Sequence, residues 1–133
     1  MFALAHAPWS EMARAALGPA MAGDPLCDVG WLQDEVQAGR IMLVEIRCGD
    51  LKAGYVALRF ELYGDLREAV MVAAGSILRG TPLSNEVIPR IAEFARELGA
   101  QSIRSHTSRR GVGLALQRNG WAEVERVYRK VLS

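Results

Sequence analysis

Residues 85–121 read NEVIPRIAEFARELGAQSIRSHTSRRGVGLALQRNGW, and the succession of patterns inside this stretch decides the fold class. Val87, Ile88, Ile91, Phe94, Ala95 and Leu98 recur at helical spacing, with Arg90, Glu93, Arg96 and Glu97 outside the stripe. Ser84 or Asn85 caps the start and Gly99 marks the end. Pro89 is tolerated only within a first turn, so the helix is expected to begin near Asn85. Gln101–His106 follows after a two-residue link as a short strand. Arg110–Asn119 is a second helix, closed by Gly120, and Ala122–Leu132 reads as a final strand with Val124, Val127 and Val131 among interleaved charges. Helix and strand alternating in this way are α/β in character.

Toward the N-terminus the period changes. Ile41–Arg47 is β-branched and apolar, and Cys48-Gly49-Asp50 is a turn signal. Lys52–Tyr63 alternates, with Val56, Leu58, Phe60 and Leu62 on one face and Tyr55, Ala57, Arg59 and Glu61 on the other. Gly64-Asp65 turns the chain into Glu68–Ile77, and three strands joined this tightly predict an antiparallel meander. The first forty residues read as two short helices. Ser10 caps Glu11–Leu17, which Gly18-Pro19 stops; Asp28 caps Val29–Ala38, where Val29, Leu32 and Val36 form one face. The expectation is one domain over 1–133, with a helical part at 1–40 and the sheet with two further helices at 41–133, in the order ααβββαβαβ.

Composition adds limits. Half of the 133 residues are apolar and 23% are charged, as in an ordinary globular domain. No apolar run approaches the about 18 residues of a membrane span, and Met1–Trp9 has no basic n-region, so neither a membrane helix nor a secretory leader is expected. Cys27 and Cys48 have no metal-like spacing to each other or to His6 and His106, which predicts two buried thiols in a reducing cytoplasm and no metal. The net charge of +1 is uneven. Residues 101–133 carry seven basic side chains against two acidic, residues 1–100 nine against thirteen. The basic third suits a phosphate-bearing ligand, an acidic partner or, as a weaker alternative, a nucleic acid. No Walker loop, dinucleotide glycine fingerprint, nucleophile elbow or His-x-x-x-His pair is present.

Several of these segments resemble the GNAT superfamily of N-acetyltransferases. Arg90–Ala100 (RIAEFARELGA) is similar to the family's third helix, Gln101–Ser108 to its fifth strand, and Arg110–Trp121 (RGVGLALQRNGW) to its fourth helix with the closing Gly-Trp. The resemblance covers residues 28–133 and implies a mixed, mostly antiparallel sheet flanked by helices. It also implies acetyl-CoA as cofactor, bound between the parting fourth and fifth strands with its diphosphate at the start of the third helix, where unpaired N–H groups attract an anion. The residues so implied are Ala74, Ser76, Ile77, Arg79, Gly80, Thr81, Ser84 and Asn85.

Two departures matter. The family's phosphate loop is Arg or Gln, two free residues, Gly, one free residue, then Gly or Ala. Here Arg79 matches, but Pro82 and Ser84 occupy the two small positions. Proline has no N–H, and its ring fills space that the cradle needs. A hydrogen bond to a charged group is worth ~1.5–3 kcal/mol, so losing one or two weakens binding roughly tenfold to several thousandfold. In the fourth helix, Leu116 stands where many relatives carry a proton-donating tyrosine. Tyr128 is the nearest tyrosine in sequence. The base varies across the superfamily, which leaves His106 and Glu61, with Glu45 behind them, as candidates.

The chain also resembles short GNAT-like proteins of phages and prophages. The shared features are Trp9 and Trp31, Arg109-Arg110-Gly111, Gly120-Trp121 and Lys130-Val131-Leu132. That resemblance implies a non-catalytic structural or interaction protein, virion-associated rather than cytoplasmic, as the alternative to an acetyl-CoA-dependent N-acyltransferase. Apolar residues near Trp9 and in the last strand suggest a homodimer contact.

Overall fold

In the computed structural model residues 2–24, 26–77, 84–107 and 110–132 are described, residues 84, 85, 110 and 111 by their backbone alone. The element order is β1 (Phe2–His6), α1 (Glu11–Met21), α2 (Val29–Gln37), β2 (Met42–Cys48), β3 (Leu51–Tyr63), β4 (Leu66–Ser76), α3 (Ser84–Glu97), β5 (Ser102–Ser105) and α4 (Arg110–Arg118). The strands form one sheet in sequence order, antiparallel throughout except that β4 and β5 run parallel. This is the mixed, mostly antiparallel architecture that the resemblance implied, and it contains the three-strand meander that the patterning predicted.

The alternation along β3 divides the core as predicted. Val56, Leu58 and Phe60 pack with Val87, Ile88, Ile91 and Leu116 beneath α3 and α4. Tyr55 and Ala57 pack with Leu17, Leu32 and Leu43 beneath α1 and α2. Both predicted caps are present: Ser10 Oγ accepts from the Ala13 N–H (3.1 Å) and Asp28 Oδ1 from the Trp31 N–H (2.8 Å). Gly99, at φ 93°, reverses the chain between α3 and β5, a conformation that side chains other than glycine's resist. Cys27 and Cys48 are free thiols, half-buried.

Four boundaries differ from the sequence reading. Phe2–His6 forms an extra edge strand, β1, paired antiparallel to β2 from Phe2↔Cys48 to His6↔Val44. Gly18-Pro19 does not stop α1. The helix runs on to Met21, whose side chain is buried in the core beside Leu17, and that burial outweighs the hydrogen bond lost at Pro19. Helix α3 begins at Ser84, one residue earlier than expected, so that Pro89 lies just past its first turn. Burial of Val87, Ile88 and Ile91 holds this end of the helix down.

The fourth difference is at the C-terminus, where residues 122–132 form no strand. A strand depends on a neighbouring edge for its ladder hydrogen bonds, and here an ion pair holds the segment elsewhere. Arg129 meets Asp24 at 2.8 Å. Val124, Val127, Tyr128, Val131 and Leu132 remain exposed.

Helix α1 lies directly on β4 at Gly75. A Cβ at that position would stand 1.8 Å from the Ala16 carbonyl oxygen and 2.6 Å from its carbon. Neither atom is free to swing aside, because both belong to a buried stretch of helix. Gly75→Ala is therefore expected to destabilise the fold by at least about 2 kcal/mol, read as a lower midpoint in urea unfolding; Gly113→Ala, which meets open space, is expected to leave the midpoint nearly unchanged.

Candidate functional site

The most distinctive feature of the sheet is where β4 and β5 part. Their parallel pairing runs only from Glu68↔Ser102 to Met71↔Ser105. On its other side β4 continues against β3, but with a shift in register: Leu58 pairs with Met71 and Ala57 with Ala73, which leaves Val72 as an extra residue. Such a bulge bends its strand and increases local twist. It falls one residue beyond the last pairing with β5, so the bend and the separation coincide. Ser105 Oγ donates to the Met71 carbonyl (3.3 Å) at the point of parting.

Beyond that point the outer edge of Val72–Gly75 has no strand partner among the described residues. The segment is small-residued, Val-Ala-Ala-Gly, with Ala73 buried and Ala74 exposed. β4, α3 and β5 form a strand–helix–strand crossover between parallel strands. That connectivity puts the N-terminus of the 14-residue α3 at the end of the sheet where the strands diverge. An exposed strand edge of peptide groups, with a helix start above it, suits an extended, amide-bearing ligand that ends in an anion.

Of the residues singled out in sequence, Ala74 and Ser76 lie on the free end of β4, while Ile77 is half-buried against the α1/α2 core. The Ile77 N–H donates to the Ala53 carbonyl (2.8 Å). Ser84 and Asn85 open α3. Arg79, Gly80, Thr81 and Pro82 lie outside the described residues.

Two of the ionisable candidates, Glu61 and His106, meet at Arg104, a residue that the sequence reading did not place among the site residues. Arg104 follows the α1/α2 face of β5, level with Val70 of β4. Its Nη2 donates to both carboxylate oxygens of Glu61 (3.0 Å each) and its Nη1 to Glu68 and to the Tyr63 hydroxyl. Its Nε donates to His106 Nε2 (3.2 Å), which places the ring proton of His106 on Nδ1. Register explains the gathering: Glu61 pairs with Glu68, and Glu68 with Ser102, so three strands present polar side chains in one row. Ser102 Oγ completes it with a bond to Glu68 Oε2 (2.7 Å).

Electrostatics follow from these contacts. The Glu61 carboxyl is held below its usual range chiefly by the Tyr63 hydroxyl; burial pushes it up, and the Arg104 guanidinium and the charge of Arg59 add to the lowering. Glu68 is held down by Ser102 and Arg104. Glu61 is thus a weak proton acceptor. Glu45 is on β2, away from the split; burial pushes its carboxyl up, but hydrogen bonds from Arg47 (3.1 Å) and Lys52 (3.3 Å) outweigh that. His106 lies one residue past the end of β5 and is exposed. Tyr128 is also exposed, on the segment without regular structure. Leu116 is buried in the core between α3 and the sheet.

With this geometry in view, the chain can be set beside known proteins. No known family's sequence pattern matches it, and no curated protein is detectably similar in sequence. Solved structures are similar in fold. The aminoglycoside N-acetyltransferase AAC(6')-Iy, solved with the bisubstrate analog CoA-S-monomethyl-acetylneamine, is 16% identical with a TM-score of 0.67 over 99% of each chain. A GNAT family acetyltransferase of Staphylococcus aureus is 12% identical, with a TM-score of 0.66 over 98% of each chain. A transcriptional regulator of Bacillus halodurans is 14% identical, with a TM-score of 0.65 over the full length of both. The chain therefore has the GNAT fold, end to end.

The Arg104 network makes a pH prediction. Carboxyls held below their usual range when folded contribute stability that is present above about pH 5 and lost as pH falls through their folded values. Arg104→Ala is expected to lower stability at neutral pH and to flatten its decline between about pH 5 and pH 3, measured by urea unfolding across that range. Arg104→Lys, which lacks the fork that spans Glu61 and Glu68, is expected to fall between the two.

Proposed function

We propose that this protein is an acyl-CoA-dependent N-acyltransferase whose thioester substrate lies in the split between β4 and β5. The observation that carries the reading is the coincidence of the Val72 bulge with the end of the β4–β5 pairing, which leaves Val72–Gly75 with a free edge. The CoA-bound relative of the same fold supports it. The bound thioester would supply an acyl group activated toward amines.

In this reading the free edge of β4, bordered by Ala74 and Ser76, would hold the amides of the pantetheine arm. Arg79, Gly80, Thr81, Ser84 and Asn85 would hold the diphosphate. His106, at the end of β5, takes the proton released by the attacking amine once Arg104 withdraws its N–H from Nε2. Glu61 is a positioning residue, because it orients Arg104. Most of the rate enhancement then comes from alignment of the two reactants. A cytoplasmic location follows, where acyl-CoA is made.

A second reading keeps the fold and gives up the chemistry. Leu116, in the place of the family's tyrosine, is only 6% exposed and serves the core. That observation favours a non-catalytic binding protein, as does the resemblance to short phage and prophage proteins, in which the phosphate loop is often degenerate. The two readings separate on activity. The second expects CoA binding weak or absent, with no acyl transfer to any amine tested.

Calorimetric titration with acetyl-CoA tests the first reading. Binding is expected at sub-millimolar concentration, and Ala74→Trp, at an exposed position on β4, is expected to abolish it while leaving the far-ultraviolet circular dichroism unchanged. Pro82→Gly, which restores one N–H to the phosphate loop, is expected to tighten binding roughly tenfold or more. Absence of heat at several millimolar acetyl-CoA in both the native protein and the Pro82→Gly variant would reject the proposal.

A further inference from the structure

We infer that Glu125 selects acceptors that arrive as alkylammonium ions, by holding the ammonium group beside His106 Nε2. The inference rests on the acyl-transfer reading above and adds the class of amine that the site takes. It begins from a mismatch of charge along the C-terminal segment. Glu123 is answered by Arg126 at 3.3 Å, and Arg129 by Asp24 at 2.8 Å. Glu125 has no such answer. Among the described residues no arginine or lysine lies within ion-pair distance of it, and the basic group beside it is His106, with Glu125 Oε1 3.9 Å from Nε2. Both side chains are about half exposed, so a ligand can reach them.

The place matters as much as the charge. β5 pairs with β4 as far as Ser105↔Met71, so His106 stands where the edge of β4 becomes free. Its Nε2 already serves as an acceptor, toward Arg104 Nε at 3.2 Å. Nε2 and Glu125 Oε1 are therefore two acceptors side by side, one of them negative. A nitrogen about 2.9 Å from each sees them about 85° apart, close enough to tetrahedral for two N–H bonds to reach both. A primary ammonium brings three such donors and the positive charge that Glu125 lacks as a partner. A neutral arylamine brings weaker donors and no charge.

The incoming N–H takes the place of the Arg104 Nε–H, while Arg104 keeps Glu61, Glu68 and Tyr63 through its two Nη atoms. One proton passes from the ammonium to His106, and the lone pair so freed forms the C–N bond as the C–S bond of the thioester breaks. The second nitrogen proton goes to the departing thiolate. Arg129 is a positioning residue in this scheme. Its bond to Asp24 fastens the segment four residues beyond Glu125, within about 14 Å of chain, where no ladder hydrogen bonds hold it.

Steady-state acyl transfer from acetyl-CoA to butylamine, cationic near neutral pH, and to aniline, uncharged there, tests this. Glu125→Gln is expected to raise the KM for butylamine about tenfold or more with little change in kcat, and to lower the preference for butylamine over aniline by a similar factor. Glu125→Asp, which keeps the charge, is expected to retain most of that preference. Arg129→Ala is expected to raise the same KM about two- to fivefold. Binding is also read without turnover: butylammonium is expected to shift the ring nitrogen resonances of His106 in the native protein and not in Glu125→Gln. A preference that Glu125→Gln leaves unchanged, or equal His106 shifts in the two proteins, would overturn the inference and leave the acyltransferase standing. No transfer to either amine by the native protein would overturn both.

Discussion

One extra residue in a ladder shapes everything that is functionally suggestive in this protein. Up to Met71, β4 is an interior strand, bonded to β3 on one side and β5 on the other. Val72 then interrupts the register with β3, and β4 turns away from β5 within the same step. An antiparallel neighbour tolerates such an interruption because the ladder resumes at Ala57↔Ala73. The short parallel neighbour does not follow. The result is a strand whose first half is structural and whose second half presents its backbone outward.

The surrounding elements fit this arrangement. Two hydrophobic layers clamp the sheet from opposite faces, so β4 bends without loss of the core. The Arg104 network ties Glu61, Glu68 and Ser102 across three strands just below the point of parting. With Arg59, which meets Glu61 at 3.1 Å, its two positive and two negative charges compensate one another. It therefore reads as a fastening that keeps β5 parallel to β4 where they do pair, and through Arg104 it also holds His106, one residue past the end of β5. Hydrogen bonds among partly buried charged groups of this kind contribute more than isolated surface pairs.

Much of the fold was legible in the sequence. The meander was readable because β2 to β4 are strongly patterned and joined by Gly-containing turns, and α2 because Asp28 caps it. What escaped notice depends on tertiary contact. β1 is five residues of mostly small side chains and becomes a strand only because β2 offers an edge. α1 continues through Gly18-Pro19 because Met21 has a core to enter. The candidate site was legible only in part. Ala74 and Ser76 lie on a strand that the residue pattern predicted, but a one-residue register shift leaves no trace in composition or period. Arg104 was not placed among the site residues for a similar reason: its partners lie 36 and 43 positions earlier in the chain and meet it only through strand register.

The seat of α1 on Gly75 has a mechanical consequence. Where helix and strand meet main chain to main chain, no side chain is interposed to deform, and the two move as a single rigid piece. Any remodelling of what approaches the sheet from that side must then fall to the connection between α1 and α2, where Asp24 and Cys27 sit, because the helix itself has no room to slide. A variant library aimed at this face of the sheet would do well to leave positions 13–17 untouched and to vary 22–28.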